Sequence, residues 1–183
     1  MIRHGSRLLL LMFTLALNCH VLAADSIEQR LQVLEDKEAI RTLIFNYGRF
    51  VDDRDWDNFA NLFASNGGTW NGGMGIAKGR EAIHKMMTDT MGGDNANAAG
   101  NGLSNVHLLG NEIINVTGDT AAAISKWVFV MTAEAGGPDF VFVGRYEDTF
   151  VRENGDWKFQ QRIVHGDISK QVNLPGLNQD ENP

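Results

Sequence analysis

Apolar residues recur at helical spacing through the first half of the chain. Between residues 27 and 51 they return every three or four positions, which predicts a long amphipathic helical region. Within it, the pair Glu35-Asp36 marks either a break between two helices or a solvated turn. Two shorter amphipathic helices are predicted further along, over residues 56–63 and 80–91.

Strand patterns follow one another through the second half. Alternating apolar and polar residues, separated by turn signals, predict strands over residues 103–109, 112–116, 120–132, 140–152 and 157–168. Asn154-Gly155 is typical of the turn of a β-hairpin. Helices followed by antiparallel strands are typical of the α+β class, in which the helices pack on one face of the sheet.

The alternation also predicts which side chains share a face of the sheet, because successive residues of a strand point to opposite sides. One face is predicted to hold, strand by strand, Ser125, Trp127 and Phe129; Tyr146 and Asp148; and Trp157, Phe159, Gln161, Ile163 and His165. A ligand cavity and a fully packed core would both produce this pattern.

The N-terminus has the composition of a secretory leader. Arg3 and Arg7 precede an apolar run over residues 8–17, and Ala23 closes the segment, as at a signal-peptidase site. The run is too short to span a bilayer, which takes about 20 apolar residues. We therefore expect an exported protein, periplasmic or secreted, built from a leader, one folded domain and a polar tail over residues 1–23, 24–170 and 171–183.

Charge and cysteine content exclude several classes of function. The formal charge is −7, and it becomes more negative when Arg3 and Arg7 leave with the leader. An acidic chain without a basic run is a poor partner for nucleic acid or for an anionic membrane. The single cysteine, Cys19, is lost with the leader, so we expect neither a disulfide nor a thiol nucleophile.

No cofactor and no metal are predicted. Residues 73–79 are rich in glycine, but the chain lacks the parallel βαβ units that a nucleotide-binding loop requires. His84, His107 and His165 have no second histidine at metal-binding spacing.

The motifs taken in order resemble the SnoaL-like branch of the nuclear transport factor 2-like superfamily. They are LEDKEAIR at 34–41, DWD at 55–57, GREAI at 79–83, GDTA at 118–121, GRYED at 144–148 and GDWKF at 155–159. The resemblance covers about residues 27–168. It implies a cone-shaped α+β barrel, in which a strongly curved mixed sheet and N-terminal helices enclose a pocket, and it implies a homodimer or homotrimer.

The same resemblance implies a site. Dehydratases of this superfamily, such as scytalone dehydratase and bile acid 7α-dehydratase, pair a histidine with an aspartate at the end of the long helix. His107 and Asp52 match that pair, and Tyr47 matches a pocket tyrosine. A catalytic arginine of some relatives has only Arg145 and Arg152 as candidates here.

The remaining pocket residues are predicted from their faces and from the resemblance. The expected substrate contacts are Trp70, Ser125, Trp127, Phe129, Tyr146 and His165. Three of these are large apolar side chains, so the expected partner is a small apolar molecule, held by a wall of Trp70, Trp127 and Phe129.

These residues favour a cofactor-independent lyase with His107 as the base and Asp52 as its orienting partner. An isomerase would use the same pair. The alternatives are a non-catalytic exported protein for ligand binding or dimerisation, and an epoxide hydrolase that uses Asp148 and Gln161.

Overall fold

A computed structural model describes residues 26–93, 105–133 and 135–169. The chain divides into two units after Leu34. The described part of the first unit is the start of a helix, where Ser26 N donates to Gln29 Oε1 (2.8 Å) and Gln29 N donates to Ser26 Oγ (3.2 Å). The predicted leader and tail lie outside the described residues and stay predictions, as does the oligomer.

Three helices and six strands are described. The helices are α1 (Ile27–Asp53), α2 (Trp56–Asn61) and α3 (Arg80–Met91). The strands are β1 (Thr69–Gly72), β2 (Gly75–Lys78), β3 (Asn105–Thr117), β4 (Thr120–Thr132), β5 (Pro138–Glu153) and β6 (Asp156–Ser169). Among the described residues, no helix combines the length and the apolar character that crossing a membrane requires.

The strands form one mixed sheet in the order β2-β1-β6-β5-β4-β3. Strands β1 and β6 run parallel, and the other neighbouring pairs are antiparallel. The predicted α+β class is confirmed, and the sheet is mixed as the resemblance implied.

Helix α1 runs without interruption through the predicted break. Asp36 is only 5% exposed, and its Oδ1 accepts hydrogen bonds from Arg152 Nη2 (2.6 Å) and Trp157 Nε1 (3.1 Å). Arg152 also lies over the Trp157 ring, at 4.5 Å from its centroid. The prediction of a break or a solvated turn is therefore wrong, because this carboxylate is buried as the anchor of α1 on the hairpin between β5 and β6.

A β-bulge on β6 reverses the predicted facing of that strand's second half. Phe150 pairs with Phe159, but Thr149 pairs with Gln161, so Gln160 is an extra residue on β6. Cross-strand partners share a face. Arg162, rather than Gln161, therefore lies on the buried face, and His165 lies on the outer face, contrary to the prediction.

The reversed register buries Arg162 completely and brings it to Asp148. Arg162 Nε and Nη2 donate to the two carboxylate oxygens of Asp148 at 2.8 and 2.7 Å, and both side chains are 0% exposed. The guanidinium carbon also lies 3.9 Å from the ring centroids of Tyr47 and Tyr146 and 4.3 Å from that of Phe159.

Charge is retained on both members of this pair. Burial opposes the charge of Arg162, but Asp148 and the two tyrosines outweigh it, and the pKa of Arg162 is raised. Burial also raises the pKa of the Asp148 carboxyl, against the opposing effect of Arg162. A guanidinium does not lose its proton in proteins, and two charge-assisted hydrogen bonds hold the carboxylate in its ionised form.

We predict that Asp148→Asn lowers the free energy of unfolding by about 3–5 kcal/mol, because it leaves a buried guanidinium without its counter-charge. Urea unfolding followed by circular dichroism measures the change. The matched control is Asp119→Asn, at an ion pair with Arg152 in which the aspartate side chain is 80% exposed; it should cost less than about 1 kcal/mol. Equal stabilities of the two variants would contradict the prediction.

We also predict that Gly144→Ala destabilises the protein by roughly 1–3 kcal/mol through overpacking. A Cβ at Gly144 would lie 2.0 Å from the carbonyl oxygen of His165 and 2.7 Å from Cε2 of Trp127, the residue opposite it on β4. Thermal unfolding and tryptophan fluorescence report the change. Gly166→Ala is the control, because nothing lies within 4 Å of its Cβ position; similar losses in both variants would be evidence against this close contact.

Candidate active site

Asp52 and His107 meet where the end of α1 crosses the start of β3. His107 Nδ1 lies 2.6 Å from Asp52 Oδ1, and the backbone N–H of His107 donates to Asp52 Oδ2 at 2.8 Å. Gly48, one turn earlier in α1, permits this approach, because a Cβ there would lie 2.9 Å from Leu109 Cδ1 and 3.5 Å from His107 Cβ. The predicted pair is thus brought together across 55 residues of sequence.

The contact with Asp52 fixes the tautomer of the His107 imidazole. A carboxylate can only accept, so the neutral ring carries its proton on Nδ1 and leaves the lone pair on Nε2. In the part of the chain that the structure describes, Nε2 of His107 has no hydrogen-bond partner. The side chains of His107 and Asp52 are 11% and 17% exposed, so bulk water reaches the pair only partly.

His107 lines a cavity of about 210 Å³. The wall is mostly apolar, and it combines aromatic rings with thioethers: Trp70, Trp127, Phe129 and Phe142, with Met74, Met87 and Met91. The His107 ring packs against Phe129, with 4.7 Å between ring centroids. Asp52 is not on the wall but lies behind the imidazole.

Two phenols supply polar groups to the same cavity. Trp70 Nε1 donates to the Tyr47 hydroxyl at 2.9 Å, so the Tyr47 proton is free for another acceptor. Burial raises the pKa of Tyr47 and raises the pKa of Tyr146 well above its usual value, so both phenols stay protonated near neutral pH. The positive charge of Arg162 behind both rings favours negative charge that develops near the hydroxyls.

Most of the predicted substrate contacts share this cavity, and two do not. Trp70, Trp127, Phe129 and Tyr146 line it, as do the predicted catalytic Tyr47 and His107. Ser125 lies outside the lining: it is 0% exposed, and it is the cross-strand partner of Tyr146.

His165 lies on the outer face of the sheet because of the bulge at Gln160. Its Nε2 is 3.3 Å from Glu147 Oε1, without the alignment of a hydrogen bond. Arg145, on the same face, binds Glu147 and Asp167. Neither His165 nor Arg145 lines the cavity, so the prediction that His165 contacts the substrate is corrected.

Sequence reasoning missed two residues near the pair. Arg162 is the buried arginine behind the tyrosines, whereas Arg152 binds Asp36. The sequence feature that could have predicted Arg162 was Asp148, because a carboxylate that faces the core requires a buried cation beside it. Asn105 was given no role; its Nδ2 donates to Asp52 Oδ1 at 2.9 Å.

Within residues 26–93, 105–133 and 135–169, no three histidine, cysteine, aspartate or glutamate side chains lie close enough together to hold a metal ion.

Solved structures share this fold. An NTF2-like protein with a cystatin-like fold from Novosphingobium aromaticivorans is 30% identical over 78% of this chain and 90% of its own, with a TM-score of 0.64. A candidate scytalone dehydratase from the same species is 22% identical over 81% of this chain and 97% of its own, with a TM-score of 0.59. ActVI-ORFA from Streptomyces coelicolor is 18% identical over 72% and 96%, with a TM-score of 0.61.

No curated protein matches the sequence. The SnoaL-like domain matches residues 32–163, which include most of the long helix, most of the sheet, and Asp52, His107, Tyr47 and Tyr146 of the site. The chain belongs to the SnoaL-like domain family.

Proposed function

We propose that this protein is a cofactor-independent lyase that removes water from a small, apolar, ring-containing substrate. The observation that carries the proposal is the 2.6 Å contact between Asp52 Oδ1 and His107 Nδ1 at the wall of an apolar cavity. A protein that only binds apolar ligands has no need of an imidazole whose tautomer is fixed by a carboxylate.

In the first step, Nε2 of His107 takes a proton from a carbon next to a carbonyl group. The carbon–hydrogen electron pair moves into the ring system, and the carbonyl oxygen becomes an enolate. Asp52 stabilises the imidazolium that forms. The phenol protons of Tyr47 and Tyr146 are the donors that the enolate oxygen would meet in this cavity.

In the second step, the enolate re-forms the carbonyl and expels a hydroxyl group from the neighbouring carbon. The imidazolium returns its proton from Nε2 to that hydroxyl, which leaves as water. The substrate loses one hydrogen and one hydroxyl, and His107 ends neutral, with its remaining proton on Nδ1. No oxidant or reductant is required.

The cavity restricts the substrate. Its volume of about 210 Å³ is below the roughly 300–1,000 Å³ of pockets that take drug-sized ligands. Its aromatic and thioether walls favour a flat apolar body, and its few polar side-chain groups belong to His107, Tyr47, Tyr146 and the indoles of Trp70 and Trp127. We infer a compact ring compound that carries a hydroxyl β to a carbonyl. One structural neighbour carries the name of a candidate scytalone dehydratase, which is in keeping with this class.

We predict that His107→Ala lowers kcat for dehydration by roughly 10²–10⁴-fold, because it removes the general base and acid. The assay incubates hydroxylated cyclic ketones, terpenoids and aromatic polyketides with the protein and follows loss of one water by mass spectrometry. His165→Ala is the matched control and should retain activity, because His165 lies on the outer face of the sheet. Unchanged turnover in His107→Ala would falsify the proposal.

We predict that Tyr47→Phe lowers kcat by roughly 10²-fold and changes KM little, because the phenol stabilises charge that appears only in the transition state. Steady-state kinetics on the substrate identified above measures both constants. Trp70→Phe should cost less, since it removes the donor to Tyr47 but leaves the phenol proton in place. A Tyr47→Phe variant with the original kcat would assign the oxygen-binding role elsewhere.

A further inference from the structure

Three donors from one short stretch of β3 converge on a single carboxylate. Asn105 Nδ2 donates to Asp52 Oδ1 at 2.9 Å, and His107 Nδ1 lies 2.6 Å from the same oxygen. The backbone N–H of His107 donates to Asp52 Oδ2 at 2.8 Å. Asn105 stands two residues before His107, so their side chains point to the same face of the strand.

Asp52 needs such support for two reasons. It lies at the C-terminal end of α1, where the helix dipole disfavours a negative charge. The torsion that turns a carboxylate about its Cβ–Cγ bond is also soft, with broad preferences. A single hydrogen bond to one oxygen leaves the plane of the group free to turn, whereas donors on both oxygens hold it.

Asn105 and the backbone of His107 supply those two donors without using the imidazole. The orientation of the Asp52 carboxylate is therefore set by β3 itself, and the ring then aligns with a carboxylate that is already held. A carboxylate held only by the ring could turn with it, and the proton on Nδ1 would lose its defined acceptor.

We propose that Asn105 is a positioning residue: by donating to Asp52 Oδ1 it holds the carboxylate in line with His107 Nδ1 and keeps the ring proton on that nitrogen. Its effect on turnover rests on the proposed lyase function, but its effect on the imidazole does not. The competing role for Asn105 is to fill space at the start of β3, and this role depends on volume rather than on hydrogen bonding.

Two substitutions separate these roles. Asn105→Leu keeps the number and branching of the side-chain heavy atoms and removes the donor, whereas Asn105→Ala removes the donor and shortens the side chain. A positioning role requires that both variants lose the Nδ1-protonated form of His107, whereas a space-filling role requires that Leu preserves it. The matched control is Asn115→Ala, at an exposed asparagine near the far end of β3.

The readout is the ¹⁵N spectrum of the imidazole of His107 in the folded protein at neutral pH. We expect one tautomer, protonated on Nδ1, in the starting protein and in Asn115→Ala. Asn105→Leu and Asn105→Ala should show exchange between the two tautomers. In an Asp52→Ala background the same substitutions should have no further effect, because the carboxylate through which Asn105 acts is gone.

The kinetic readout on the dehydration substrate should show kcat lowered about 10–100-fold, the range typical of groups that orient a reacting side chain through another residue, with KM nearly unchanged. A wild-type tautomer in Asn105→Leu, or an additive effect in the Asp52→Ala background, overturns the positioning role. If the Asn105 variants shift the tautomer of His107 while His107→Ala keeps full turnover, the positioning role of Asn105 is supported and the lyase proposal is contradicted.

Discussion

The buried ion pair between Arg162 and Asp148 ties together the parts of the core that matter for the site. Its two hydrogen bonds join β5 to β6, and its guanidinium carbon lies over the rings of Tyr47 from α1 and Tyr146 from β5. Both phenols then form part of the cavity wall. The pair therefore fixes the distance between the helix and the sheet at the place where the ligand would lie.

The permanent positive charge of Arg162 also determines the electrostatic character of the cavity. Because the guanidinium is 0% exposed, its field is not screened by water. Asp148 balances the net charge, while the tyrosine rings separate the cation from the cavity. The wall can consequently remain apolar and neutral, and a developing negative charge on a ligand oxygen is still stabilised from behind the phenols.

Local patterns were sufficient for most of the helices and long strands of this fold, but they did not predict how distant strands pair. The helix over residues 80–91 and the strand over 120–132 have their predicted bounds, because each is encoded in its own periodicity. The bulge at Gln160 depends on how β5 and β6 pair, and nothing in the local sequence marks it. That one extra residue moved Arg162 inward and His165 outward.

The residues of the site likewise divide into those that the sequence predicted and those that depend on distant contacts. The resemblance gave Asp52 and His107, and alternation gave Trp127, Phe129 and Tyr146, all of which the structure brings to one place. Asp36 was misjudged because an acidic residue in a helix is usually solvated, and its partners, Arg152 and Trp157, lie over a hundred residues away. Burial of a polar side chain is a property of the assembled fold.

The inventory of the cavity favours proton transfer over the activation of water. Hydrolysis of an epoxide was predicted to use Asp148 and Gln161; Asp148 is committed to Arg162, and Gln161 lies on the outer face. Among the described lining residues, His107 is the one side chain whose ring nitrogen can act as a base. One base with neutral phenols beside it is sufficient to remove a single proton and to return it.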